Sequence, residues 1–116
     1  MTDQVASALA ISFFMNPKLT RITLAYNYIR NTFCRTFARL ASMRPEKITD
    51  INLMGSINFH DHIDPIIQEL PKLKYLTQLN IAGCALTQAS CRQLSLFVFK
   101  CFTLRLLDVS HCRINY

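Results

Sequence analysis

One apolar phrase recurs four times along this chain, and the recurrence leaves few folds open. It reads Leu19-x-x-Ile22-x-Leu24-x-x-Asn27-x-Ile29, then Ile48-x-x-Ile51-x-Leu53-x-x-Ser56, then Leu76-x-x-Leu79-x-Ile81-x-x-Cys84-x-Leu86, then Leu104-x-x-Leu107-x-Val109-x-x-Cys112-x-Ile114. The starting residues lie 29, 28 and 28 positions apart. A fixed period of this size marks a stacked array in which each unit exposes an apolar face that only its neighbour can cover.

Inside each phrase the apolar residues alternate, as in Ile22-x-Leu24, which is the period of a strand. Short strands are expected near 21–25, 50–54, 78–82 and 106–110. They recur at the same phase and run in the same sense, so they form a parallel sheet, and parallel neighbours need crossovers. The intervals supply helices. Phe33, Phe37 and Leu40 give an apolar stripe to a helix near 32–42, with Thr32 as its N-cap. Asp64-Pro65 reads as a cap followed by proline at the first helical position, and Pro71 limits that helix to a short one ending near Leu70. Thr87 caps a helix near 88–100 whose inward stripe is Cys91, Leu94, Phe97 or Val98, and Cys101. The chain opens on a further helix, with Val5, Leu9 and Phe13 or Phe14 as its stripe, broken at Asn16-Pro17.

Composition narrows the setting. Of 116 residues, 51% are hydrophobic and 17% charged, which excludes a disordered chain. The longest apolar runs, Val5 to Met15 and Leu94 to Phe99, are too short to span a bilayer. The N-terminus lacks the basic region of a secretion signal, and Asp3 stands where that charge belongs. The five cysteines are odd in number and not spaced as a disulfide framework. They imply reduced thiols in an intracellular compartment. A cytoplasmic location is expected, with a mitochondrial site or a cytoskeletal assembly as alternatives.

The phrase resembles the leucine-rich repeat family, specifically its ribonuclease-inhibitor-like class. The closest stretch is Leu76 to Leu104, where Cys84-x-Leu86-Thr87 and Cys91-x-x-Leu94 look like that class's strand-to-helix hinge. Asn16-Pro17-Lys18-Leu19 resembles its helix-to-strand hinge. The resemblance implies an α/β leucine-rich-repeat solenoid, a short horseshoe arc with a parallel four-stranded sheet on the concave face and helices on the convex face. It divides the single domain 1–116 into an N-terminal helical half-repeat (1–18), full repeats at 19–47, 48–75 and 76–103, and a truncated repeat at 104–116. The register from Cys101 to Cys112 also resembles the repeats attached to F-box proteins, although no F-box segment is visible. One departure stands out. After Ser56 the apolar residues are Ile57 and Phe59 rather than Asn58, so the turn at 55–62 should differ from its neighbours.

The repeat absorbs most of the apparent chemistry. Asn27, Ser56, Cys84 and Cys112 share the ninth position of the phrase, where a small polar side chain can bond the backbone of the turn leaving the strand. The resemblance implies the same structural ladder. Cys84, Cys91, Cys101, His111 and Cys112 lack the paired hinges of a structural zinc site. His60-Asp61-His62 is a more local ligand candidate and reads equally as a polar loop. With only Gly55 and Gly83 as glycines, the chain has no phosphate cradle, and no spacing marks a catalytic triad. We therefore expect no catalytic residues, no cofactor and no metal.

What remains is the outward set between the leucines. Equal phases line up as columns: Thr23, Asn52, Asn80, Asp108, beside Arg21, Asp50, Gln78, Leu106. Arg21 beside Asp50 reads as a cross-strand pair. Tyr26, Met54, Arg105, Asp108 and His111 are the candidates for partner contact on the concave face. The formal charge of +6 is weighted toward the first half. Arg30, Arg35, Arg39 and Arg44 could meet an anionic surface, but the aromatic platform of a nucleic-acid binder is missing. Leu104, Leu107, Val109 and Ile114 should be half-covered, which predicts a protein partner over the C-terminal edge or continuation of the array. The expected function is a non-catalytic protein-interaction or scaffold module in a larger intracellular assembly. The alternative is an adaptor or regulatory fragment, such as a ubiquitin-ligase substrate receptor or a GTPase regulator.

Overall fold

The computed structural model describes residues 2–57 and 63–115. Helix α1 spans Asp3–Met15 and is followed by strand β1, Arg21–Thr23; α2 spans Asn31–Met43 and is followed by β2, Asp50–Asn52. Next come α3, Asp64–Glu69, a 3-10 turn at Leu70–Lys72, and β3, Gln78–Asn80. Then β4, Ala85–Thr87, leads into α4, Gln88–Lys100, and the last strands are β5, Leu106–Asp108, and β6, Arg113–Asn115. Strands β1, β2, β3 and β5 form a parallel sheet in that order. Helix α1 packs on α2, α2 on α3 and α3 on α4. The molecule is therefore mixed α/β, with four α-helices among the described residues beside a parallel sheet.

Register follows the phrase. Ile22 pairs with Ile51, Ile51 with Leu79 and Leu79 with Leu107. The expected strands were five residues long and the observed ones are three. Beyond Thr23, Asn52, Asn80 and Asp108 the chain bends into a turn, yet the ladder goes on: Leu24, Leu53 and Ile81 donate to Asn52, Asn80 and Asp108 carbonyls at 2.8–2.9 Å. Apolar alternation continues into this turn, so periodicity alone overran the strand. A second pairing lies past the turn, where β4 runs parallel to β6 and Ile29 bridges Ile57. Here Ile57 takes the partner place and is buried, and the rest of the segment expected to differ, residues 58–62, lies outside the described residues.

The core joins the middle residues of β1, β2, β3 and β4 to the helix faces. Phe14 stacks edge-on against Phe13 and Phe37, with centroids 5.1 and 5.3 Å apart, and Phe33 lies 5.5 Å from Phe37. Two helix expectations are corrected and one open alternative is decided. In α1 the inward residues are Ala6, Ala10, Phe13 and Phe14, whereas Val5 and Leu9 are exposed. Two alanines let α1 approach α2 closely and turn the larger residues outward. In α4 it is Phe97, not Val98, that faces inward, beside Ser90 and Leu94. Thr32 lies inside α2, whose cap position is Arg30.

The caps explain the place of Thr32 more fully. Asp3 accepts hydrogen bonds from the backbone N–H of Arg30 (2.7 Å) and Phe33 (3.2 Å), so a carboxylate on α1 satisfies the start of α2. Asp64 likewise does not cap its own helix, where Ile63 holds the cap position. Its carboxylate accepts from the hydroxyl and the backbone N–H of Thr87. Thr87 caps α4 as expected, accepting from Ser90 N–H at 3.2 Å. Lys47 makes a third tie between units. Its ammonium donates to the carbonyls of Asn16 and Leu19 and sits 5.0 Å from the centre of the Phe13 ring. Partial desolvation, with Arg44 nearby, lowers the Lys47 pKa from its ordinary value.

Candidate functional site

The face of the sheet turned away from the helices carries the outward residues, and the strand register sets them in rows. Arg21, Asp50, Gln78 and Leu106 are neighbours across the four strands, as are Thr23, Asn52, Asn80 and Asp108. Arg21 Nε lies 3.4 Å from Asp50 Oδ1, which also accepts from the Thr49 hydroxyl at 2.7 Å.

The second row is occupied with its own backbone. Asn52, Asn80 and Asp108 each accept, through Oδ1, the N–H two residues on, at 3.1, 3.1 and 3.0 Å. Each is an Asx turn that steers the chain off the strand. Asp108 also accepts from the Ser110 hydroxyl at 2.6 Å. That hydroxyl bond, then the Ser110 N–H, holds the Asp108 carboxyl below its ordinary pKa, with His111 adding a smaller effect. Asp108 is thus partly committed to its own turn. Its fixed-phase companions Asn52 and Asn80 could have been recognised in the sequence from the recurrence of Asn or Asp at the last strand position.

A third row sits at the turn. Tyr26, Gly55, Gly83 and His111 all have positive φ, at 59°, 66°, 73° and 57°. The repeat demands a left-handed residue at this phase, and glycine meets that demand without strain. The space differs along the row. A Cβ on Gly55 would fall 2.9 Å from the Tyr26 ring, so the ring lies across the bare backbone there, although Tyr26 remains largely exposed. A Cβ on Gly83 would lie in ordinary contact with the Gly55 backbone, at 3.5 Å, and His111 is exposed. Met54 is half-buried, with its sulfur 4.0 Å from Asn80 Nδ2.

The five candidate residues do not converge on one point. Tyr26 and His111 end the turn row, three strand spacings apart, about 14 Å, and Met54 stands one residue before its Gly55. Arg105 is exposed at the opposite end of β5, about 10 Å along the strand from Asp108. They form a shallow platform, not a pocket. The four arginines are also spread out. Arg35 and Arg39 share an exposed turn of α2, while Arg30 and Arg44 stand at its two ends, about 20 Å apart.

Beneath the platform lies the ladder. Ser56 Oγ donates to the Leu24 carbonyl and accepts from Asn27 N–H. Cys84 Sγ donates to the Leu53 carbonyl at 3.0 Å and Cys112 Sγ to that of Ile81 at 3.1 Å. Asn27 instead bonds its own turn, through Nδ2 to the Ala25 carbonyl. Burial pushes the Cys84 thiol up to about 11 and raises that of Cys112, against the lowering effect of nearby backbone donors. Such thiols are poor nucleophiles at neutral pH. Among the described residues no three His, Cys, Asp or Glu side chains gather as a metal site, and His60, Asp61 and His62 lie outside those residues. No helix of the described residues is long and apolar enough to cross a membrane.

Compared with protein-family models and with curated protein sequences, the chain matches none.

Proposed function

We propose that the chain is a leucine-rich-repeat arc of the ribonuclease-inhibitor-like class, acting as a non-catalytic protein-interaction or scaffold module. Support for the repeat class comes from three features that recur every 28 or 29 residues: the in-register parallel pairing, the left-handed turn position and the buried donor ladder. Support for a binding role comes chiefly from the platform. Its polar residues are tied into turns, while Tyr26, Arg105 and His111 stand exposed above a rigid frame. Aromatic and arginine side chains on fixed backbone are effective interface anchors.

The same reading includes the far edge of the sheet. Leu107, Val109 and Ile114 are 36–45% exposed, and with Leu86, Leu94 and Val98 they line a groove of about 400 Å³ beside α4. The partner is a protein segment that adds a parallel strand beside β5, continuing the backbone ladder, and fills the groove with apolar side chains. The setting is a larger assembly inside the cell.

A photo-crosslinking residue placed at Arg105 or at Tyr26 in the full chain tests the platform, with the same residue at Arg39 as control. Adducts to one protein from both platform positions and not from Arg39 are expected. Equal labelling from all three positions, or none from the platform, would overturn the reading.

A further inference from the structure

Helices α2 and α4 each run 13 residues, but α3, which lies between them, runs only six. Pro71 explains the difference. It has no N–H to donate to the carbonyl four residues back, so the α-helix gives way to the 3-10 turn at Leu70–Lys72 and the chain heads for β3 early. The C-terminal half of α4 is left without a facing helix. In that place is a slot of about 510 Å³. Its floor is apolar, made by the buried Ile67, Leu73 and Phe97. Leu96 and Phe102 line it as well, yet are 61% and 98% exposed. Lys74 and Lys100, both exposed, also line it, and none of its lining residues is acidic. The nearest lysine of the turn, Lys72, is already bound to Glu69 (3.0 Å) and Ser42 (3.1 Å).

We propose that this slot receives an acidic amphipathic helix from a protein partner. The occupant takes the position that the missing turns of α3 would fill. One row of apolar side chains spaced i, i+3 or i+4, and i+7 enters between Leu73 and Leu96, and Phe102 closes over it. Carboxylates on the flanks of that row meet Lys74 and Lys100, the only charged residues of the lining, and these select against basic helices. The shape favours a helix over a lipid surface, because the slot is concave with a closed apolar floor, whereas a bilayer presents a flat face. The slot is on the helix side of the molecule, so the proposal stands apart from the platform on the sheet.

The test is selection of random peptides of about 16 residues, roughly four turns, on the full chain, followed by fluorescence anisotropy with the enriched sequence. Enriched peptides should combine helically spaced leucine-type residues with Asp and Glu. Leu96→Asp and Phe102→Ala should each weaken binding about tenfold. The double change Lys74→Glu with Lys100→Glu should reverse the preference, so that the peptide with its acids changed to lysine binds better. All four side chains are exposed, so circular dichroism should stay unchanged. Peptides without acids, or binding indifferent to these substitutions, would overturn the proposal. So would failure to enrich any peptide while phosphatidylserine-containing vesicles sediment the chain through Lys74 and Lys100, which would make the slot a membrane contact.

Discussion

Ser56 and Cys84 do one job with different atoms. Each donates to the carbonyl that closes the strand of the preceding unit, Leu24 for the hydroxyl and Leu53 for the thiol. Both are buried, but the Leu53 carbonyl also accepts the Ser56 N–H at 3.1 Å and keeps that donor when the thiol is lost. Replacing Cys84 with alanine removes one of two hydrogen bonds at that carbonyl and should cost about 0.5–1.5 kcal/mol in urea unfolding, and replacing it with serine less than half of that loss. The reverse order would mean that packing, not donation, holds the position. The thiol adds a pH signature. The Cys84 pKa rises from 9.0 unfolded to about 11 folded, so the folded chain holds that proton more tightly. Stability is therefore full below about pH 9 and falls as the pH climbs toward 11, by roughly 2–3 kcal/mol for two pKa units. The alanine variant should show a flatter alkaline limb. The turn row gives a second residue-level expectation. Gly55→Ala must hold φ at 66° and push its Cβ into the Tyr26 ring, so it should destabilise by about 1–3 kcal/mol. His111→Gly removes a left-handed side chain that is exposed and should raise the melting temperature by a few degrees, from about 0.5–1 kcal/mol.

Among the elements, the connections between units were harder to read than the units themselves. Asn16-Pro17, Pro71 and Thr87 are local stop and start signals, and the helices end or begin where they stand. The carboxylates of Asp3 and Asp64 act on residues 27 and 23 positions or more away, and no local rule places them there. Lys47 is the same kind of case, since its carbonyl partners lie 31 and 28 positions back, at Asn16 and Leu19. The stripe of α1 was misread for a different reason. Periodicity favours the largest apolar residues, Val5 and Leu9, but close helix packing prefers Ala6 and Ala10 at the contact. Likewise the ladder was legible because it repeats, while the role of Asn52 and Asn80 was not, because outward polar residues read as free surface until the turn geometry is known. Asp3 offers the sharpest test at this scale. Asp3→Ala should remove two bonds to the α2 N-terminus and cost about 1–2 kcal/mol. Amide exchange should then quicken at Arg30 and Phe33 and stay unchanged at β3.

Across the whole molecule, equal positions in the phrase are unequal in burial. The middle strand residue is 8% exposed at Ile22, 1% at Ile51, 0% at Leu79 and 36% at Leu107. Each unit is held mainly by the units on either side, so stability should follow a nearest-neighbour pattern, greatest in the middle and least at β5. Charge cannot produce this gradient, because the residues compared are all apolar. Position in the stack produces it. Leu79→Ala should therefore cost about 2–5 kcal/mol, since it opens a cavity between covered neighbours. Leu107→Ala makes the same chemical change at the same phase, but it removes a side chain that water already reaches and should cost less than about 1.5 kcal/mol. Native-state hydrogen exchange should rank the backbone donors likewise, with Leu53 N–H slower than Ile81 N–H, whose acceptor is the Asp108 carbonyl on the open strand. A partner that continues the sheet beside β5 would slow exchange at Ile81 first and leave Leu53 almost unchanged. Uniform protection along the ladder in the free chain would mean that the stack unfolds as one block, and the gradient in burial would then carry no gradient in stability.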